Sequence, residues 1–100
     1  MVGQALRRIA VYGGDLAHLA HGLADLAGVT LFGSSGQAGQ GELRRLHAAL
    51  RAGTIAEVCL VVRWAGHGET IKIRRLCRSL GVPCRIFNSI GAVVRALRGD

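Results

Sequence analysis

Residues 8–18 read RIAVYGGDLAH, and this stretch decides the fold. Its apolar residues run into two glycines, an aspartate and a helical pattern, which predicts a buried strand, a tight turn and a helix start. Gly13 and Gly14 can adopt positive φ and let another group approach the backbone closely. Asp15 is a suitable N-cap, because its carboxylate accepts hydrogen bonds from free N–H groups of the first helical turn. The stretch therefore predicts a ligand position beside a helix N-terminus, which favours negative charge.

Three more strand and helix pairs follow along the chain. Further strands are predicted over 29–32, 56–62 and 84–87, and helices over 16–26, 43–53, 70–80 and 90–97. Strands that are connected through helices form a parallel sheet, and the most apolar strands, the first and the third, belong at its centre. The sequence thus predicts a small Rossmann-like, doubly wound α/β fold with strand order 2-1-3-4 and helices on both faces. Residues 1–7 are predicted to be a flexible N-terminal segment and residues 8–100 a single ligand-binding domain.

The composition of the chain indicates which kinds of partner and which cellular compartment are expected. The chain has 100 residues, half of them hydrophobic, and a net charge of +7 in which arginine supplies all but one of the 13 basic residues. This charge permits a nucleic-acid or acidic partner. The same net charge is also expected if arginine, rather than lysine, simply covers the solvent-exposed faces of the helices. The sequence contains neither an apolar run of about 18 residues, as a membrane span requires, nor a signal-peptide pattern. Cys59, Cys77 and Cys84 lack zinc or redox spacing, so we expect packed, reduced thiols in a cytoplasmic protein.

The switch in strand order predicts the binding site. In doubly wound sheets ligands bind beyond the carboxyl ends of the strands, where the order reverses, and this point lies between the glycine turn and residues 63–67. The turn is not a dinucleotide fingerprint, and the only lysine is not in a phosphate-binding loop. The candidate cofactor-binding residues are Tyr12, Gly13, Gly14, His18, Arg63, Trp64, His67 and Ser89.

His18 and His67 are the candidate metal ligands. Neutral imidazole commonly binds transition metals and haem iron, although both residues could equally be exposed polar side chains. In a haem site, Arg63 would meet the propionates and Trp64 the flat face of the macrocycle. His47 lies beside an apolar helical stripe and is interpreted as structural.

Several segments also resemble a known family. The residues VYGG at 11–14, followed by His18, resemble the opening of a bacterial family known as domain of unknown function 2325. The residues VVRWAGH at 61–67 resemble its strand-to-helix turn, where a serine–histidine pair is usual and Gly66 here replaces the serine. Residues 73–78, 81–83 and 89–97 are similar to its third helix, that helix's exit and its last helix. The resemblance covers roughly residues 8–98 and implies that His18 and His67 form one constellation.

The leading functional hypothesis is a non-enzymatic small-ligand-binding or sensor protein that holds haem or a transition metal. Carboxylates are scarce, which disfavours an acid–base enzyme. High apolar content in so short a chain predicts an exposed patch and hence a homodimer. One alternative is an anion- or nucleotide-binding module that uses the helix starts at Asp15, Gly68 and Ser89. Another is a nucleic-acid accessory domain that uses an arginine-rich face formed by Arg74, Arg75 and Arg78.

Overall fold

A computed structural model describes residues 8–23, 25–34, 39–63 and 65–99. Strands and helices alternate from β1 to α4. The strands are β1 (Arg8–Tyr12), β2 (Val29–Phe32), β3 (Ile55–Val61) and β4 (Cys84–Phe87). The helices are α1 (Leu16–Leu23), α2 (Gly39–Arg51), α3 (His67–Leu80) and α4 (Ile90–Arg98).

The four strands form one parallel sheet in the order β2-β1-β3-β4, which confirms the predicted topology. β1 and β3 occupy the centre, so Val11 lies beside Leu31 on one side and Cys59 on the other. The order reverses between β1 and β3. The carboxyl ends of these two strands therefore flank the point where a doubly wound sheet offers a crevice.

Helices cover both faces of the sheet and create two separate cores. Successive side chains of a strand point to opposite faces, so Val58 and Leu60 join one core while Cys59 and Val61 join the other. The first core lies under α2 and α3, which contribute Leu43, Leu46, Leu50, Ile73 and Cys77. The second lies under α1 and α4, which contribute Leu19, Leu23 and Val93. The apolar run of β3 is thus buried on both faces, as its composition predicts.

Three helix boundaries differ from the sequence-based prediction. α1 ends at Leu23 rather than near residue 26, because a tight turn follows in which the Leu26 amide donates to the Leu23 carbonyl at 3.1 Å. α2 begins at Gly39, four residues before the first predicted position. α3 begins at His67, which was predicted in the preceding turn. The Glu69 carboxylate accepts the Gly66 amide at 2.9 Å and so closes the first turn of α3 early.

Two of the predicted segments include residues that the structure does not describe. The predicted flexible segment 1–7 and residues 35–38 of the glycine-rich loop lie outside the described residues. Within the described ranges, none of the helices combines the length and the apolar character needed to cross a membrane.

Candidate functional site

The glycine turn after β1 is shaped by the neighbouring strand. Gly13 has φ +132° and Gly14 has φ +89°, as the sequence predicts for this turn. A Cβ atom at Gly13 would lie 2.7 Å from the carbonyl oxygen of Val61. The group that approaches this glycine closely is therefore the backbone at the end of β3.

The amides of the turn already have acceptors within the chain. The Gly13 amide donates to the Phe32 carbonyl at 3.2 Å, and the Gly14 amide donates to Ser34 Oγ at 2.6 Å. The Ser34 amide in turn donates to the Gly14 carbonyl at 2.8 Å. An anion that bound to the Gly14 amide would have to displace the Ser34 hydroxyl, which weakens the case for an anion site at this turn. Asp15 acts as the predicted N-cap, because its Oδ1 accepts the Ala17 amide at 3.0 Å.

Tyr12 connects the end of β1 to the start of α3. Its side chain is fully buried, and its hydroxyl donates to Glu69 Oε1 at 3.2 Å. Burial raises the pKa of Tyr12, and the nearby negative charge of Glu69 and the hydrogen bond to it raise that pKa further. Tyr12 is thus a neutral phenol that positions the first turn of α3. Its predicted contact with a cofactor stays a prediction.

We expect Tyr12→Phe to destabilise the protein by about 1 kcal/mol, because it removes one hydrogen bond of the β1–α3 connection. Chemical denaturation of the two proteins measures the difference. Glu69 keeps the Gly66 amide as a donor in the variant, so the start of α3 should persist. An unchanged free energy of unfolding would show that the hydroxyl contributes nothing.

Three of the other predicted site residues, Arg63, His67 and Ser89, follow the carboxyl ends of β3 and β4. Arg63 is exposed after β3, and His67 is exposed at the first position of α3. Ser89 Oγ caps α4 by accepting the Ala92 amide at 3.1 Å. Trp64 and the side chain of His18 lie outside the described residues. The part of the chain that is described contains no group of three His, Cys, Asp or Glu side chains that could hold a metal ion. Haem or metal binding by His18 and His67 therefore stays a prediction.

A basic groove lies between α2 and α3, on the outer surface of the domain. It is an open groove of about 490 Å³, and its lining residues are His47, Arg51, Lys72, Arg75, Leu76 and Ser79. Residues three and seven positions apart share one face of a helix. Lys72 and Arg75 follow this spacing on α3, and Arg44, His47 and Arg51 follow it on α2, where His47 and Arg51 line the groove. The sequence thus places one basic stripe on each of two adjacent helices.

The carboxylates of the described residues are engaged elsewhere. They cap helices or pair with arginines as follows: Asp15 caps α1, Glu69 caps α3, Asp25 pairs with Arg98, Glu42 pairs with Arg45, and Glu57 pairs with Arg85. None of them lines the basic groove. Within the described ranges, Arg51, Lys72 and Arg75 form no ion pair. The groove is therefore a concentration of positive charge without an internal counter-ion.

His47 gives the groove a partly buried polar group. Its Nε2 atom is buried and has no hydrogen-bond partner among the described residues. Burial lowers the pKa of His47, and the charges of Arg51 and Lys72 lower it further. The imidazole is therefore neutral at pH 7. An anion in the groove would offset the two cationic charges and favour the protonated ring.

Sequence reasoning missed this groove, although a signal for it was present. In the sequence-based prediction, Arg75 is grouped with Arg74 and Arg78 in one arginine-rich face, and His47 is interpreted as structural. Strand order 2-1-3-4 with right-handed crossovers already places α2 and α3 side by side on one face of the sheet. Combined with the spacing of the basic residues on each helix, this order could have predicted a shared basic surface.

Comparison with known proteins gives no relative for the chain: no protein-family model, curated protein or solved structure matches it. The resemblance to the bacterial family of unknown function 2325 stays a prediction. The functional argument therefore depends on the geometry and charge of the described residues.

Proposed function

We propose that the protein is a nucleic-acid-binding domain whose basic groove between α2 and α3 contacts the sugar-phosphate backbone. The observation that carries this proposal is a groove lined by His47, Arg51, Lys72 and Arg75 to which none of the carboxylates in the described part of the chain belongs. Basic side chains that are not neutralised by the protein bind phosphates and release the counter-ions condensed on the nucleic acid. Of the hypotheses from the sequence, the groove therefore favours the nucleic-acid accessory domain over the protein that holds haem or a transition metal.

The extent of the positive charge favours a polymer over a single phosphate ligand. α3 is basic on two flanks, because Lys72 and Arg75 line the groove towards α2 while Arg74 and Arg78 line a second cavity beside β4. One phosphate group cannot contact both flanks of a helix, whereas a chain of phosphates that crosses the helix can. Arginine suits this task because its planar guanidinium binds phosphate oxygens in pairs.

The basic groove is expected to show little preference for the base sequence of the nucleic acid. The rings of Phe32 and Phe87 are covered by Arg45 and Arg85, whose guanidinium carbons lie 5.3 Å and 5.1 Å from the ring centroids. Among the described residues, none of those lining the groove is Phe, Tyr or Trp, and the only ring is the partly buried imidazole of His47, so the groove offers little surface for base stacking. We therefore expect contacts to phosphate and sugar, which position a protein without reading the base sequence.

Fluorescence anisotropy of a labelled DNA duplex and a labelled single strand, each in two unrelated sequences, tests the proposal. At about 50 mM salt we expect micromolar or tighter binding that is similar for both sequences and weakens steeply as salt is raised. Heparin, a polyanion without bases, should compete. Absence of binding to every probe at low salt would refute the proposed function.

The affinity should depend on pH through His47. A bound phosphate raises the pKa of this imidazole from its lowered value, so binding takes up a proton. Affinity then rises as pH falls from about 7.5 to 5.5, by at most about tenfold for each unit by which the phosphate raises the pKa. Anisotropy titrations across this range measure the effect. The charged side chains that line the groove with His47 are Arg51 on α2 and Lys72 and Arg75 on α3.

A pair of histidine variants separates this effect from general protonation. His47→Gln should bind with an affinity that changes little between these pH values, while His67→Gln should keep the dependence of the wild type because His67 lies outside the groove. If His47→Gln keeps the full dependence, the imidazole of His47 does not contact phosphate.

We also propose a cytoplasmic homodimer. The exposed large apolar side chains among the described residues are Ile71, Leu80 and Ile86, of which Ile86 lies on the edge strand β4. Exposed apolar side chains promote self-association where they form one patch, and the three free thiols are consistent with a reducing compartment. Light scattering at micromolar concentration should give twice the mass of one chain, and a monomer at all concentrations would contradict the proposed dimer.

A further inference from the structure

Two cysteines that are separated by a turn in the chain meet beside α3. Cys77 is 1% exposed and belongs to the core under α2 and α3, and Cys84, at the start of β4, packs partly buried against that same core. Both line a cavity of about 200 Å³ together with Arg74, Arg78 and Val82. The cavity opens to solvent, and two arginines line it together with the two cysteines.

The turn between α3 and β4 fixes the relative position of the two thiols. α3 ends in a left-handed Gly81 with φ +72°, whose amide donates to the Arg78 carbonyl at 3.3 Å. The Val82 amide donates to the Cys77 carbonyl at 2.9 Å, and the Pro83 carbonyl accepts the Val58 amide at 2.9 Å. Because each residue of the turn is bonded, the turn fixes how the end of α3 is placed relative to the start of β4.

The surroundings differentiate the two sulfur atoms. The hydrogen bond from the Cys77 thiol lowers the pKa of Cys84, burial opposes this effect, and the charge of Arg74 adds to the lowering. The same hydrogen bond raises the pKa of Cys77, as does burial. Cys84 is therefore the more acidic thiol of the two and the better nucleophile, while Cys77 stays the neutral thiol.

We propose that Cys77 and Cys84 form a redox-active dithiol in which Cys84 reacts with a hydroperoxide and Cys77 resolves the product as a disulfide. The Cys84 thiolate attacks one peroxide oxygen, the O–O bond breaks, and the other oxygen leaves as hydroxide or alkoxide. Cys84 is thereby oxidised by two electrons to a sulfenic acid, and the peroxide is reduced. Cys77 then attacks the sulfenic sulfur, the S–O bond breaks, and the departing hydroxide takes the Cys77 proton to form water. In total, two thiols and one hydroperoxide give one disulfide, one alcohol or water, and one further water.

Arg74 and Arg78 supply the charge that this reaction requires. Both arginines line the cavity, where positive charge stabilises the attacking thiolate and the departing hydroxide. Cys59 provides an internal comparison, because it is fully buried in the other core and burial raises its pKa to about 11. The dithiol proposal is independent of nucleic-acid binding.

Peroxide titration of the reduced, folded protein tests the proposal. One equivalent of hydrogen peroxide should remove two hydrogens from the intact mass, and tryptic cleavage after Arg78, which separates the two cysteines, should yield one disulfide-linked peptide pair. Iodoacetamide should alkylate Cys84 at least about tenfold faster than Cys59, and Arg74→Gln should slow this alkylation. Cys77→Ala should stop at a sulfenic acid on Cys84 that dimedone traps, while Cys84→Ser should not react. A disulfide that fails to form in the wild type, or equal alkylation of Cys59 and Cys84, would overturn the proposal.

Discussion

A double charge reversal on α3, Lys72→Glu with Arg75→Glu, is expected to weaken nucleic-acid binding by at least about 100-fold at 0.1 M salt. Each phosphate contact contributes about tenfold at this salt concentration through counter-ion release, and both residues line the groove. The new carboxylates would also repel the phosphates. Both positions are exposed and form no ion pair among the described residues, so the fold should persist. Anisotropy titration measures the affinity, and circular dichroism checks the fold.

The control for this loss is Arg95→Glu. Arg95 is exposed on α4, which covers the opposite face of the sheet, and it forms no ion pair within the described ranges. The substitution changes the net charge as much as Lys72→Glu does alone, but away from the groove. We expect Arg95→Glu to bind within about threefold of the wild type. If Lys72→Glu alone and Arg95→Glu weaken binding by the same factor, the net charge of the protein rather than the groove governs binding.

Gly13→Ala is expected to destabilise the protein by about 2 to 4 kcal/mol, a large fraction of the stability of a small domain. The methyl group would lie 2.7 Å from the Val61 carbonyl oxygen, and the φ of +132° disfavours any L side chain. The clash would lie between the carboxyl ends of β1 and β3, the two central strands, where neither backbone can move without disturbing the sheet. Urea denaturation should show a clearly lower midpoint than that of the wild type.

Gly53→Ala separates backbone strain from the clash. Gly53 has φ +78°, and a Cβ atom there would meet nothing within 4 Å. This variant should therefore lose only about 1 kcal/mol, the cost of the left-handed backbone conformation. If Gly13→Ala costs no more than Gly53→Ala, the close approach of β3 is not what requires glycine in the turn.

Most of the fold could be predicted from local patterns. The apolar stretches at 8–12 and 55–61 identify central strands, since a strand buried on both faces has few polar residues. Helix boundaries were less predictable, because His67 enters α3 only through the bond between Glu69 and the Gly66 amide, and spacing alone does not show this bond.

The surfaces that carry the proposals depend on contacts between distant segments. Predicted ligand positions were assigned to the glycine turn because glycines can accommodate a ligand, but the structure shows the Gly14 amide bonded to Ser34, twenty residues away. Cys77 and Cys84 lack a motif in the sequence and meet only because the turn at Gly81 reverses the chain. The basic groove requires the adjacency of α2 and α3, which the sequence predicts only through the strand order.

The most direct test of nucleic-acid binding by the basic groove is the salt dependence of affinity, measured by anisotropy for the wild type and for the Lys72→Glu, Arg75→Glu double variant. If Arg51, Lys72 and Arg75 contact phosphates, a plot of the logarithm of the association constant against the logarithm of salt concentration should have a slope of about −3. If Arg74 and Arg78 contact phosphates as well, the slope should be about −4.5. The double variant should have a slope that is shallower by about 2 units. Equal slopes for the two proteins would show that Lys72 and Arg75 contact no phosphate and would contradict the proposed function.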